Sequence, residues 1–208
     1  MSGNGSNLQA LLDGEKAGSF KGKISLVISD RPGVYALERA KNAGIPAFVI
    51  EPDMSLSKDE RRLDLSEKIL HIIEGKDIGL IVLAGFLSIL TGGILQKFSG
   101  RIINLHPALL PKFGGQGMYG ANVHQAVLDA GETESGCTVH LADGGIDTGE
   151  ILLQRKVPVL PGDTADSLAQ RIHPEEHIAI AEAVKIMAVR LNKKKKIDNS
   201  IDINVYSY

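Results

Sequence analysis

The chain has 208 residues, a formal charge of −2, 43% hydrophobic and 23% charged residues, and one cysteine. That is length enough for one α/β domain with a sizeable core, and the near-neutral balance gives no overall field to recruit nucleic acid or an acidic membrane. Cys137 alone makes no internal disulfide and no Cys/His spacing suits zinc, while the start lacks a signal peptide and no apolar run is long enough to span a membrane, so a cytoplasmic protein is expected.

In chain order, KISLVISD (Lys23–Asp30) is β-branched and apolar and predicts a buried strand. GVYALERAKNAG (Gly33–Gly44) has helical spacing and a glycine at its end. IPAFVIE (Ile45–Glu51) predicts a second strand, and Ser55–Gly75 a long amphipathic helix with Asp59 and Glu60 early in it. IGLIVLAGF (Ile78–Phe86) is the most hydrophobic run and predicts a central strand. A short helix near Ser88–Phe98 and a strand over GRIINLH (Gly100–His106) follow. Strands alternating with helices, each strand nearly all apolar, predict an α/β fold with a doubly wound, mostly parallel sheet.

The pattern then changes. GANVHQAVLDAG (Gly120–Gly131) predicts a helix. SGCTVHLAD (Ser135–Asp143) and EILLQRKVPVL (Glu150–Leu160) predict strands whose short glycine-rich link requires antiparallel pairing. Asp163 is the expected N-cap of a long final helix, with Pro174 as a candidate break. Residues 1–191 read as one domain and 192–208 as a tail, either disordered or a strand. The four lysines from Lys193 suit a solvated helix end, and Ile201, Ile203 and Val205 alternate with polar residues.

SGNGSNLQALL at the start is a glycine-rich turn running into a helix, a combination that converges backbone N–H groups on an anion. A mobile terminus before a Ser-capped helix has the same spacing. A phosphate loop of this kind normally follows a strand, and here the usual first strand is missing. An empty central slot would leave the backbone groups of both neighbouring strands unpaired, so another segment, with the tail as candidate, is expected to fill it.

INLHPALLPKF (Ile103–Phe113) carries the most informative polar pair. In an extended segment Asn104 and His106 face the same way, at the strand end where open parallel sheets bind ligands. Pro107 biases His106 toward an extended backbone, and Pro111 stiffens the turn. An amide that donates to an oxyanion beside an imidazole that moves a proton suits acyl-type chemistry. ADGGIDTGE adds Asp143, Asp147 and Glu150 on a loop; Asp147 is the best placed to raise the pKa of His106. Each residue alone has a bland reading, the Asn and His as a satisfied strand end and the Asp as a turn former. No Ser-based triad motif is present, and Cys137 sits mid-strand as an inert thiol.

Taken together, SGNGSNLQALL, LERAKNAGIP, VLAGFLSIL, INLHPALLPKF, AVLDAGETESGCTVHLADGGIDTGEILLQ, VPVLPGDT and EEHIAIAEAV resemble, in order, the phosphoribosylglycinamide formyltransferases of the folate-dependent formyltransferase family. The resemblance covers about residues 2–190. It implies a Rossmann-like formyltransferase fold and transfer of a formyl group from 10-formyltetrahydrofolate to the amine of glycinamide ribonucleotide, in purine biosynthesis. By the match, Asn104, His106 and Asp147 are catalytic, with His140 in support. Gly5, Ser6, Asn7, His173 and Glu176 would hold the ribonucleotide. Arg62, Leu87, Ser88, Ile89, Leu90, Asn104, Asp143, Gly144, Gly145, Ile146 and Asp147 would hold the folate. Small-molecule partners, no metal, no nucleic acid, no membrane and a monomer or homodimer are implied.

Ser88 stands where many members carry arginine, and PKFGGQGMYGANVH replaces the more usual His-containing loop. Two other readings stay open: a truncated, inactive folate- or nucleotide-binding form of the same fold, and another folate-dependent formyltransferase or hydrolase. A methionyl-tRNA formyltransferase would need a basic C-terminal domain, and the hydrolase an extra N-terminal one.

Overall fold

A computed structural model of the chain describes residues 4–195 and 202–207. Seven strands are described: β1 Lys23–Ser29, β2 Ala47–Val49, β3 Ile78–Ala84, β4 Ile102–His106, β5 Glu134–Leu141, β6 Ile151–Pro158 and β7 Asp202–Ser207. The helices are α1 Ser6–Lys16, α2 Tyr35–Asn42, α3 Lys58–Ile73, α4 Gly93–Lys97, α5 Ala121–Asp129 and α6 Ala165–Lys195. The strands form one sheet in the order β2-β1-β7-β3-β4-β5-β6. Pairing is parallel from β2 through β4 and antiparallel for β4 with β5 and β5 with β6.

Both faces of the sheet are covered, which is why its central strand is apolar throughout. All seven residues of β3 are buried. Leu80, Val82 and Ala84 pack into the core under α1, α2, α5 and α6, while Ile81 and Leu83 pack into the core under α3 and α4. β1 departs from strict alternation. Its register against β7 shifts between Ile24 and Leu26, so Ile24 and Val27 share one core and Leu26 and Ile28 the other. An extra residue in a strand turns every later side chain to the opposite face.

The slot between β1 and β3 is filled. β7 lies between β1 and β3, parallel to both, with Ile203 opposite Ile24 and Leu80, and Val205 opposite Val27 and Val82. The tail thus satisfies the inner backbone groups of two central strands. Ile201, the first residue of the alternating run, lies outside the described residues, as do Ser2 and Gly3 of the glycine-rich loop.

Three local expectations are corrected. Pro174 does not break α6, which runs unbroken from Ala165 to Lys195. A proline removes one hydrogen bond, and the acceptor it leaves, on Gln170, belongs to an exposed residue that water can reach. The buried face from Leu168 to Leu191 holds the helix across it. Asp163 is not the cap of α6: Thr164 Oγ1 accepts from Ser167 N at 3.2 Å, and Asp163 instead binds Arg171 and Leu160 N. The helix near 88–98 is confined to Gly93–Lys97, entered through Gly92 at φ 72°. In α3 the early acidic residues have their expected place, since Ser57 and Glu60 form a reciprocal capping box. No helix among the described residues is long and apolar enough to cross a membrane.

Candidate active site

A crevice of about 1100 Å³ opens at the carboxyl ends of the parallel strands. One end is built by β4, β5 and the loop between β5 and β6. Asn104 and His140 lie directly opposite each other on β4 and β5, so their side chains share a face. Asn104 Nδ2 is 3.1 Å from His140 Nε2 and 3.4 Å from Asp147 Oδ1. His140 Nδ1 faces the Leu141 carbonyl at 2.9 Å. A carbonyl only accepts, so Nδ1 carries a proton, while Nε2 lies between the Asn104 amide and Asp147 Oδ1, 3.4 Å from the latter.

His106, two residues along β4, is buried. Its Nε2 donates to the Phe113 carbonyl at 2.8 Å, and its Nδ1 is 3.6 Å from Asp147 Oδ2. Asp147 also accepts from Gly115 N at 3.0 Å. Phe113 and Asp147, the two groups facing the His106 ring, are the non-glycine residues among the described ones with φ in the left-handed region, both at 57°. Such conformations carry strain that surrounding contacts must hold, and here they aim two acceptors at one imidazole. The turn after His106 is fixed from the antiparallel strands: Thr138 Oγ1 donates to Ala108 O and accepts from Leu110 N, and Gln154 Nε2 donates to Leu110 O. The Leu110–Pro111 peptide is cis.

The electrostatics correct one expectation. Asp147 does raise the pKa of His106, but burial lowers it by more, and the net value lies below the usual histidine range. A charge taken from water into this site costs more than one carboxylate at 3.6 Å returns. Burial also pushes Asp147 up, yet hydrogen bonds from His140 and Gly115, with the charges of His106 and His140, bring it below the ordinary carboxylate range. At neutral pH Asp147 is therefore the ionised member. Burial pushes the Cys137 thiol up to about 12, as suits an inert side chain.

The other end of the crevice is built by the first loop and α6. Gly5 precedes α1 at φ 65° and offers no side-chain cap, so the first-turn N–H groups of α1 are left to a ligand. A Cβ on Gly5 would meet Ala36 Cβ at 2.7 Å, so the loop lies directly on α2. Asn7 Nδ2 donates to Glu176 at 3.4 Å across 169 positions of sequence. Glu176 is buried, and burial raises its pKa against the opposing effects of His173 and Asn7. His173, one helical turn before Glu176, also lines the crevice.

Leu87, Ser88, Ile89 and Leu90 line the crevice, as do Asp143, Gly145, Ile146 and Asp147. Gly144 is not among the residues lining the crevice. The Ser88 hydroxyl donates to Asp30 at 2.8 Å. Asp143 is tied into its own loop by Thr148 and Gly145, and these bonds, Thr148 foremost, lower its pKa despite burial. Arg62 lines the crevice from α3 and pairs with Asp59 at 3.3 Å. No group of three or more His, Cys, Asp or Glu among the described residues is arranged to hold a metal ion.

Sequence reasoning missed the backbone groups of Phe113 and Gly115, and it missed His124 and His177. His124 falls with Val123 and Val127 on the buried face of α5 and lines the crevice. A polar residue on an otherwise apolar helix face was the available signal.

The family described as formyl transferase matches residues 1–184. The trifunctional purine biosynthetic protein adenosine-3 of Drosophila melanogaster is 43% identical over 189 residues, 90% of this chain but 13% of that protein. The chloroplastic phosphoribosylglycinamide formyltransferase of Vigna unguiculata is 36% identical over 187 residues, 90% of this chain and 59% of that protein. The chain therefore spans less than two thirds of the length of these relatives. Glycinamide ribonucleotide transformylase 1 from Symbiobacterium toebii has the same fold, with a TM-score of 0.80 and 39% identity over 91% of this chain and 85% of that one. With the matched residues spanning both ends of the crevice, the chain belongs to the formyl transferase family.

Proposed function

We propose that the chain transfers a formyl group from 10-formyltetrahydrofolate to the primary amine of glycinamide ribonucleotide. The observation that carries this reading is one crevice with the Asn104–His106–His140–Asp147 cluster at one end and an uncapped helix N-terminus beside Glu176 at the other. The first end suits acyl transfer, and the second suits a phosphate and a ribose. The names of the relatives point to the same substrates.

The folate would lie along Leu87–Leu90, facing residues 143–147, with its formyl carbon at Asn104. The ribonucleotide would place its phosphate on Gly5, Ser6 and Asn7 and its hydroxyls on Glu176 and His173. The amine attacks the formyl carbon, and the carbonyl oxygen becomes an oxyanion that accepts from the Asn104 amide. The developing oxyanion raises the proton affinity of His106, which takes a proton from water as the oxyanion forms and gives it back as the oxyanion collapses, so the imidazolium exists only while its charge is needed. Asp147, already ionised, takes the proton from the attacking nitrogen and returns it, through water, to N10 of the folate. The C–N10 bond then breaks, leaving tetrahydrofolate and the formylated amine. Small-molecule partners, a cytoplasmic setting and a monomer or homodimer belong to the same reading.

The test is direct. The purified chain is mixed with both substrates, and tetrahydrofolate release is followed spectroscopically with the formylated ribonucleotide identified by mass. Release that depends on the ribonucleotide supports the transferase. Release into water without it favours a hydrolase, and folate binding without release favours an inactive binding form.

A further inference from the structure

The loop that carries Gly5 is held from outside the crevice by one side chain. Arg39, on α2, donates from Nε to the Asn4 carbonyl at 2.8 Å and from one terminal nitrogen to Asn4 Oδ1 at 3.0 Å. The other terminal nitrogen donates to Gln9 Oε1 at 2.8 Å. The guanidinium carbon lies 4.7 Å from the centroid of the Tyr35 ring, so the flat face is covered as well. Gln9 in turn donates to Asp13 at 2.9 Å, which ties the clamp along α1.

The place of these contacts gives them a consequence for the site. The Asn4 carbonyl belongs to the same peptide unit as the Gly5 N–H, and Gly5 is the left-handed residue from which α1 starts. Fixing that peptide by its oxygen, while Gly5 rests on Ala36, fixes the direction in which the N–H groups of Ser6 and Asn7 point. Three nitrogens of a rigid fork are used at once, which a lysine cannot reproduce. Arg39 does not line the crevice, so whatever it does for a ligand it does through Asn4 and Gly5.

We propose that Arg39 is a positioning residue for the ribonucleotide phosphate, holding the 4–7 loop in its anion-binding form from the far side. This rests on the formyl-transfer reading only for the identity of the phosphate's owner. It gives the loop end of the crevice a support as specific as the one β5 and β6 give the catalytic end.

The experiment compares the full chain with Arg39→Met and Arg39→Lys. Binding of inorganic phosphate and of glycinamide ribonucleotide is measured by calorimetry, and formyl transfer by steady-state kinetics. In Arg39→Met, the Kd for phosphate and the KM for the ribonucleotide rise together by about tenfold, while kcat and the KM for the folate stay within about twofold. Arg39→Lys recovers less than half of that loss, because a point charge cannot hold both oxygens of Asn4. An unchanged phosphate Kd in Arg39→Met overturns the inference, as does a fall in kcat matched by an equal-fold rise in both KM values. A wild-type chain that binds no phosphate overturns it too. A wild-type chain that binds phosphate but transfers no formyl group overturns the formyl-transfer reading instead, and the phosphate titrations still decide the role of Arg39.

Discussion

The two ends of the crevice are built on opposite plans. At the catalytic end the polar groups already bind each other: Asn104 reaches His140 and Asp147, and His106 reaches Phe113. At the loop end they are left open. Asn7 Oδ1 and His177 Nε2 are buried without a hydrogen-bond partner among the described residues. Buried polar atoms are normally satisfied, so such openings mark where a ligand supplies the partner. A site that performs chemistry has its groups oriented beforehand, while a site that recognises keeps its groups unspent.

The ends also differ in how the chain assembles them. The catalytic end draws on the stretch from Asn104 to Asp147, joined by neighbouring antiparallel strands. The loop end draws on residues 4–7 and on α6, joined by a bond across 169 positions of sequence, over a sheet completed by β7. Removing residues 202–208 breaks that assembly and carries the largest expected effect. β1 and β3 would each lose a central parallel ladder, and a domain's whole stability is only about 5–15 kcal/mol. The shortened chain is expected to lose cooperative thermal unfolding and all transfer activity. An unchanged melting curve would show that β7 contributes nothing to the sheet.

The next largest effect isolates the catalytic end. Asp147→Asn keeps the size of the side chain but removes the charge facing His106 and the acceptor we propose for the amine proton. We expect kcat to fall about 100- to 1,000-fold, with both KM values changed by less than about threefold. Steady-state kinetics with each substrate varied in turn would settle it. Losses in KM as large as those in kcat would make Asp147 a binding residue.

The same division explains what could be read from the sequence. Apolar runs and a change of pattern after His106 gave the parallel and antiparallel parts of the sheet. Asn104 and His106 could be paired because a strand repeats every two residues. The alternation at Ile203 and Val205 marked a strand to fill the gap, but its place between β1 and β3 follows from long-range pairing that no local pattern carries. The pull of Asp147 on His106 is suggested by motif order, whereas the burial that sets the net direction of the His106 pKa depends on the whole fold. Arg39 and His124 were passed over as ordinary helix residues, since what they touch lies in distant segments.

His124 lies where the two ends meet and yields the smallest of these effects. Burial first, then the charges of His173 at the loop end and His106 at the catalytic end, lower its pKa from 6.5 to about 4, against a smaller opposing effect of Asp166. As pH falls below 6.5, the unfolded chain takes up the proton before the folded one does. The stability associated with neutral His124 is therefore full above that pH and is lost progressively as pH falls toward 4. The loss is up to roughly 3 kcal/mol. His106 and His177 are lowered as well and add to it with the same sign. His124→Leu removes this titration, and its Nδ1 has no hydrogen-bond partner to lose. Urea unfolding at pH 7 and near pH 4.5 should give a smaller difference for the variant than for the parent chain. Equal differences would place the acid sensitivity at His106 or His177, and so at one end of the crevice instead of the point where both ends act.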